Sequence, residues 1–143
     1  TCIETCGFTD PEKLLSAAAY TDVFLFDYKI TDSYLHKKYT GVGNEKILGN
    51  LKQLDEFGSK IILRCPVIPG VNDTEEHFSG IVKTADSLKN VIGIEIAPYH
   101  ELGLSKSERL GQKQETFPVP LKDNAEKYIE AIKLKTNVPV KRM

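Results

Sequence analysis

The sequence of 143 residues has little of several features that mark particular classes of protein. It contains no tryptophan, one methionine and three cysteines. Three cysteines do not indicate a disulfide framework, so a reducing, cytoplasmic environment is expected. Nineteen basic residues stand against 20 acidic ones, for a net charge of -1, which disfavours a nucleic-acid or anionic-membrane partner. No apolar run approaches the roughly 20 residues that a membrane-spanning helix needs.

What the sequence does contain is an alternation of strand and helix patterns without internal repeats. Residues 23–26 form a continuous apolar run between Asp22 and Asp27, which is typical of a parallel strand buried on both faces. Further strands are predicted at 1–4, 61–63, 91–97 and 138–141, and helices begin near residues 10, 44, 72 and 123. This alternation predicts an α/β fold with right-handed crossovers.

The predicted strands are too few to close an eight-stranded barrel. A partial (β/α) barrel, meaning a truncated half-barrel of parallel strands with crossover helices, and an open doubly wound sheet are the two architectures left. Either leaves an unpaired edge beside the first strand, where preceding strands would pair. An exposed edge invites association with other chains, so we expect self-association of this piece through that edge.

Polar side chains gather just after the predicted strands. Asp27 and Lys29 follow the second strand, Arg64 ends the third and His100 follows the fourth. Because parallel α/β proteins bind ligands at the carboxyl ends of their strands, these groups would suit a zwitterionic or phosphate-bearing ligand. Asp27 and Lys29 could instead be an ordinary ion pair at the rim, and His100 alone is more typical of a hydrogen-bonded loop residue.

The remaining histidines and the cysteines indicate no site by themselves. His36 and His77 lie in helical, charged surroundings and are predicted to be surface residues. Cys2 and Cys6 have the spacing of part of a cluster motif, but no third cysteine follows closely, and two sulfur ligands do not make an iron–sulfur site. Both are interpreted as structural small residues, and Cys65 as a buried hydrophobic residue.

Five motifs, in order and at matching spacing, resemble one known family. They are Glu4-Thr5-Cys6-Gly7, Asp27-Tyr28-Lys29, the stretch from Thr40-Gly41-Val42 to Ile47-Leu48-Gly49-Asn50-Leu51, Arg64-Cys65-Pro66-Val67-Ile68-Pro69-Gly70-Val71-Asn72-Asp73, and Pro98-Tyr99-His100-Glu101-Leu102-Gly103. Together they resemble the C-terminal portion of the pyruvate formate-lyase activating enzymes, the glycyl-radical-enzyme activating family within the radical S-adenosylmethionine superfamily. The likeness covers nearly the whole chain, and the part after Gly111 matches least.

The resemblance implies a partial (β/α) barrel that binds S-adenosylmethionine across its strand ends. By resemblance, Lys29, Arg64 and His100 contact the cofactor, with Asp27 beside them. Glu4, Thr5 and Asp27, with the backbone carbonyl of Leu25, match a monovalent-cation site, although the best-known member of the family has aspartate where this chain has Glu4.

The resemblance also implies the chemistry and the partners. In this family a 4Fe–4S cluster held by three cysteines passes an electron to S-adenosylmethionine, and the resulting 5′-deoxyadenosyl radical takes hydrogen from a glycine of a partner glycyl-radical enzyme. A flavodoxin or ferredoxin-type protein is the implied electron donor. The cluster loop and a glycine-rich cofactor segment are expected upstream of Thr1. Residues 1–143 are therefore interpreted as the C-terminal part of the barrel, without catalytic residues of their own and inactive alone.

Two alternatives remain open. The chain could be a cluster-free binding or interaction domain, or it could come from another radical S-adenosylmethionine enzyme that acts on a small molecule. The activase interpretation is favoured because the chain begins in mid-strand at Thr1 without an initiator methionine. An activase should dock a glycyl-radical domain, whereas a radical S-adenosylmethionine enzyme of the small-molecule kind should bind a metabolite.

Overall fold

The computed structural model describes residues 1–100, 117–119 and 122–143. These residues form a parallel sheet with helices between its strands. The strands are β1 (Cys2–Thr5), β2 (Val23–Asp27), β3 (Lys60–Val67), β4 (Val91–Pro98) and β5 (Val140–Arg142). The helices are α1 (Pro11–Ala18), α2 (Ser33–Thr40), α3 (Glu45–Phe57), α4 (Glu75–Ser87) and α5 (Lys122–Lys133). No helix in these ranges is long and apolar enough to cross a membrane.

The order of the strands decides between the two predicted architectures. The sheet runs β1-β2-β3-β4-β5, and each strand pairs in parallel with the next one along the chain. Right-handed crossovers that always advance in one direction place every helix on the same face of the sheet. A doubly wound sheet needs a reversal of strand order, so that alternative is wrong. The described strands form an open, unclosed half-barrel, as the resemblance implies.

The helices cover one face of the sheet and leave the other uncovered. Strand residues on the helical side are fully buried and include Phe24, Phe26, Leu63, Cys65, Ile94 and Ile96. They pack in one core with helix residues such as Leu51, Leu54 and Ile81. On the opposite face, Leu25, Ile62 and Ala97 are only half-buried. The interpretation of Cys65 as a buried hydrophobic residue is confirmed. Whether the edge at β1 mediates self-association stays a prediction.

The bounds of helix α2 are not predicted from the sequence, although the surroundings of His36 are helical in character. Asp32 caps it, since its side chain accepts a hydrogen bond from the backbone N of Leu35 at 2.7 Å, and Gly41 ends it with a left-handed φ of 86°. The helix has eight residues and few apolar ones, so its periodicity is too weak to detect.

The prediction that His36 and His77 are surface residues is wrong, because each is only 3% exposed. His36 donates from Nδ1 to the carbonyl of Val42 at 2.7 Å. The ring of His77 stacks on Tyr28 with centroids 6.0 Å apart, and its Nδ1 accepts from the backbone N of Thr31 at 3.3 Å. Their charged sequence neighbours lie on other faces of the same helices, which a linear pattern does not reveal.

Strand β3 does not end at Arg64, as the sequence predicts, but continues through Pro66 to Val67. Pro66 pairs with Ala97 of β4, whereas β2 ends beside Arg64. Beyond that point β3 has a described neighbour on one side only. A proline is tolerated there because its missing N–H faces the side without a partner strand.

Candidate functional site

Four charged residues lie in register across the uncovered face of the sheet. Asp27 pairs with Arg64, Arg64 with Glu95, and Glu95 with Lys141 in the strand register. Partnered residues of neighbouring strands project to the same face, so negative and positive side chains alternate from β2 to β5. We call these four residues the charged row. The sequence points to Asp27 and Arg64 as site residues but not to Glu95 or Lys141.

Arg64 lies at the centre of this arrangement. Its Nε donates to Oε2 of Glu95 at 3.0 Å, and its Nη1 lies 2.8 Å from Oε2 of Glu4. Burial alone would lower the pKa of Arg64, but the hydrogen bonds and charges of these two carboxylates outweigh it and raise the pKa. The guanidinium is therefore permanently charged. Neither ion pair uses its Nη2 group.

Glu95 is the most buried carboxylate of the row, with its side chain 9% exposed. Its second oxygen, Oε1, lies 3.1 Å from Nζ of Lys141. Burial would raise the pKa of Glu95, but the hydrogen bonds from Lys141 and Arg64 hold it below its usual value. The sequence gives one indication that Glu95 is special: it is the single carboxylate inside the apolar strand Val91–Pro98.

Asp27 and Lys29 lie at the end of β2, and their ion pair is long. Nζ of Lys29 is 3.5 Å from Oδ2 of Asp27, and the two side chains are 38% and 24% exposed. Burial raises the pKa of Asp27 despite the nearby Lys29 and Arg64 cations, and the negative charge of Glu4 adds to that rise. A carboxylate whose charge is incompletely compensated is a favourable place for an additional cationic group.

The proposed cation ligands are only partly assembled. Glu4 and Asp27 are close enough for the charge of one to affect the pKa of the other, but the carboxylate of Glu4 pairs with Arg64. The hydroxyl of Thr5 accepts from the backbone N of Gly7 at 3.0 Å. The cation site stays a prediction.

His100 lies apart from the other predicted residues. It is exposed and follows the end of β4. With Tyr99, Arg142 and Met143 among its neighbours, it lines a cavity of about 380 Å³. Two strand spacings of about 4.8 Å separate β2 from β4, so a ligand reaching from Lys29 to His100 must be extended. Glu101, Leu102 and Gly103 of the same motif lie outside the described residues.

A second cavity, of about 220 Å³, opens between the ends of β1 and β2 and the helices behind them. It is lined by Cys6, Phe8, Asp27, Lys29, His36, Thr40, Val42 and Ile47. The Asp27–Lys29 pair therefore lies between the uncovered face and an accessible, partly apolar pocket. This location favours a binding role for the pair over that of an ordinary rim ion pair.

The cysteines do not assemble a metal site. Cys2 and Cys6 are exposed and Cys65 is buried. Among the described residues, no three histidine, cysteine, aspartate or glutamate side chains are grouped so that they could hold a metal ion. These residues therefore do not fit an iron–sulfur cluster.

Three curated relatives match between 79% and 98% of the chain. It is 39% identical over 144 residues to the choline trimethylamine-lyase activating enzyme of Oleidesulfovibrio alaskensis, which covers 98% of the chain. It is 37% identical to the trans-4-hydroxy-L-proline dehydratase activating enzyme of Clostridioides difficile, over 79% of the chain. The isethionate sulfite-lyase activating enzyme of Nitratidesulfovibrio vulgaris is 33% identical over 95% of it.

The chain belongs to the glycyl-radical-enzyme activating family. It spans about half the length, or less, of the relatives it matches: 46%, 38% and 44% of these three proteins. No protein-family model matches it.

The fold of the family is also found among solved structures. A domain of a pyruvate-formate lyase-activating enzyme from Bacteroides vulgatus superimposes with a TM-score of 0.80 at 21% identity, covering 99% of this chain and 80% of that one. A radical SAM methyltransferase from Sphaerobacter thermophilus superimposes with a TM-score of 0.71 at 11% identity, covering 99% of this chain and 39% of that one. At such identities the likeness shows the fold alone, and this fold is the open half-barrel described above.

Proposed function

We propose that this chain is the C-terminal part of an activase that binds S-adenosylmethionine across the uncovered face and serves a glycyl-radical enzyme. The observation that carries the proposal is the charged row across the uncovered face, with Lys29 just after the end of β2, in a half-barrel whose relatives are named as activating enzymes. When bound, S-adenosylmethionine supplies a 5′-deoxyadenosyl radical that removes a hydrogen atom from a glycine of the partner.

The side chains on this face fit the methionine end of such a cofactor. The ammonium of Lys29 offers a partner for the carboxylate. Burial raises the pKa of Asp27, so an ammonium group of the cofactor nearby would stabilise its charged carboxylate. The Nη2 group of Arg64 is left available for an oxygen of the ligand, because Glu95 and Glu4 engage its other nitrogens. His100, beside the cavity of about 380 Å³, is assigned to the nucleoside end.

The proposal also includes the iron–sulfur cluster, the electron donor and the cellular compartment. Since the described residues do not fit a 4Fe–4S cluster, we place the cluster ligands and the glycine-rich cofactor segment upstream of Thr1. A flavodoxin or ferredoxin-type protein would donate the electron. The reducing cytoplasm is the compartment in which the exposed thiols of Cys2 and Cys6 would persist.

The proposal is tested with the full-length protein, reconstituted anaerobically with iron and sulfide and reduced with dithionite. We expect it to cleave S-adenosylmethionine to 5′-deoxyadenosine and methionine, and to produce a glycyl-radical signal in electron paramagnetic resonance when a candidate glycyl-radical enzyme is added. The isolated 143-residue chain should cleave none. Cleavage by the isolated chain, or none by the full-length protein, would contradict the proposal, and a product formed from a metabolite would favour the small-molecule alternative.

Lys29→Met provides the site-directed arm of this test. Removing a charge-assisted contact should weaken S-adenosylmethionine binding about tenfold. Lys52→Met is the matched control, because Lys52 is 71% exposed and pairs with Glu56 at 3.7 Å on the outer helix α3. Equal affinities for both variants and the unmodified protein would show that Lys29 does not contact S-adenosylmethionine.

A further inference from the structure

The loop 28–31, which follows β2 and carries Lys29, is fixed through its backbone. The amide N of Tyr28 donates to the carbonyl O of Arg64 at 2.8 Å. The side-chain amide of Asn44 donates to two carbonyl oxygens later in the loop, at 3.1 and 2.8 Å. Asn44 is itself buried, at 5% exposed. The path of this loop is therefore set by its neighbours rather than by its own short sequence.

Asn72 holds the loop at Lys29 itself. It lies in the segment between β3 and α4 and is 2% exposed. Its Nδ2 donates to the carbonyl O of Lys29 and to that of Pro66, each at 2.8 Å. Its Oδ1 accepts from the backbone N of Ile68 at 2.7 Å. One buried amide thus joins the loop after β2 to the end of β3.

We propose that Asn72 is a positioning residue for the cofactor site and acts through Lys29. The inference rests on the proposed binding of S-adenosylmethionine. Because the Lys29 carbonyl is held by Asn72, the origin of the lysine side chain is fixed relative to Asp27 and to the charged row. Without the amide, two partly buried carbonyls lose their donor, and the loop must shift to find others. Small shifts of a positioned group are costly in binding sites.

A double-mutant cycle separates positioning from general stability. Affinity for S-adenosylmethionine is measured by titration calorimetry on the reconstituted full-length protein and on Asn72→Ala, Lys29→Met and the double variant. We expect Asn72→Ala to weaken binding about tenfold and to have no further effect once Lys29 is replaced. Asn72→Asp serves if the alanine variant does not fold, since it keeps the oxygen that accepts from Ile68 and loses both donors.

Asn90→Ala is the matched control. The side chain of Asn90 also clamps a backbone carbonyl, that of Asp55 at 2.8 Å, but at the amino end of β4. It should lower stability without changing affinity.

The outcomes distinguish the inference from the proposed function. If the unmodified protein does not bind S-adenosylmethionine, the proposed function fails. If it binds and Lys29→Met weakens binding, but the Asn72 variants bind normally or their effect adds fully to that of Lys29→Met, the positioning role of Asn72 is overturned. The role is also overturned if Asn90→Ala weakens binding as much as Asn72→Ala.

Discussion

Nε of Arg64 donates to Oε2 of Glu95 at 3.0 Å, joining β3 and β4 on the uncovered face of the sheet. The guanidinium and the carboxylate are 17% and 9% exposed, so neither charge is fully hydrated. Removing one partner leaves the other poorly compensated, which usually costs more than the intact pair contributes. This relationship makes Glu95, which the sequence does not single out, the best residue for testing the charged row.

Glu95→Gln should lower the free energy of unfolding at pH 7 by about 1–3 kcal/mol. The folded protein holds the pKa of Glu95 below its usual value of 4.5. The stabilisation is therefore present above pH 4.5 and is lost as the pH falls through the folded-state pKa. Urea unfolding at pH 7 and below pH 4 should show the difference between variant and unmodified protein shrinking. Glu56→Gln, which breaks an exposed pair, should change little, and equal effects of both variants would contradict the prediction.

Asp27→Asn should act in the opposite direction and raise stability at pH 7. Burial raises the pKa of Asp27 above its usual 3.8, so the charged carboxylate is the disfavoured form in the folded state. Stability is lost as the pH rises from 3.8 through the folded-state pKa, and the asparagine variant avoids that loss. The same urea titrations check this. A variant less stable than the unmodified protein at pH 7 would show that Lys29 compensates the carboxylate fully.

His77 should make the fold sensitive to mild acid. Burial lowers its pKa from 6.5 to about 4, so stability is lost as the pH falls from 6.5 towards 4 while the unfolded chain takes up a proton. For a single group this loss is on the order of 3 kcal/mol. His77→Gln should lose correspondingly less stability between pH 7 and pH 4. If the two pH dependences are parallel, His77 is not the titrating group.

Gly7→Ala should destabilise the fold by about 2 kcal/mol or more, because two costs combine. Gly7 has a φ of 70°, and a methyl group there would overlap the ring of the fully buried Phe26. Gly49→Ala is the matched control, since nothing lies within 4 Å of its methyl position in helix α3. That substitution should stabilise by about 0.5–1 kcal/mol. Thermal unfolding of the two variants should move the midpoint in opposite directions.

The features that the sequence predicts correctly are local ones. The apolar run before Asp27 is strand β2, as predicted, but it is fully buried on its helical face only: Phe24 and Phe26 are 0% exposed, whereas Val23 and Leu25 are half-buried. Gly58 ends α3 in a left-handed conformation, with φ of 89°, as its place after an apolar stripe indicates. The positions of Asp27 and Lys29 around the end of β2 follow from the same local pattern, and the two side chains form an ion pair.

The features that escape the sequence depend on competition between neighbouring side chains and on the register of the strands. Helix α4 begins after Thr74, whose hydroxyl accepts from the backbone N of His77. The carboxylate of the preceding residue, Asp73, does not cap the helix but accepts from the N of Gly70 at 2.7 Å. The strand register alone reveals Glu95 as a partner of Arg64. Side-chain competition and register are properties of the assembled sheet, so a linear pattern does not contain them.

The sequential order of the strands also bears on how the protein folds. Cys2 pairs with Val23, Val23 with Lys60 and Ile61 with Val91, so each new strand joins the one completed just before it. No pairing among the described strands waits for a segment made much later. Each of these pairings closes a crossover of about 20–40 residues, so it forms more slowly than a hairpin, but it joins neighbouring units of the chain. A ribosome that delivers the chain from its amino end can therefore add one strand–helix unit at a time to a sheet that is already formed.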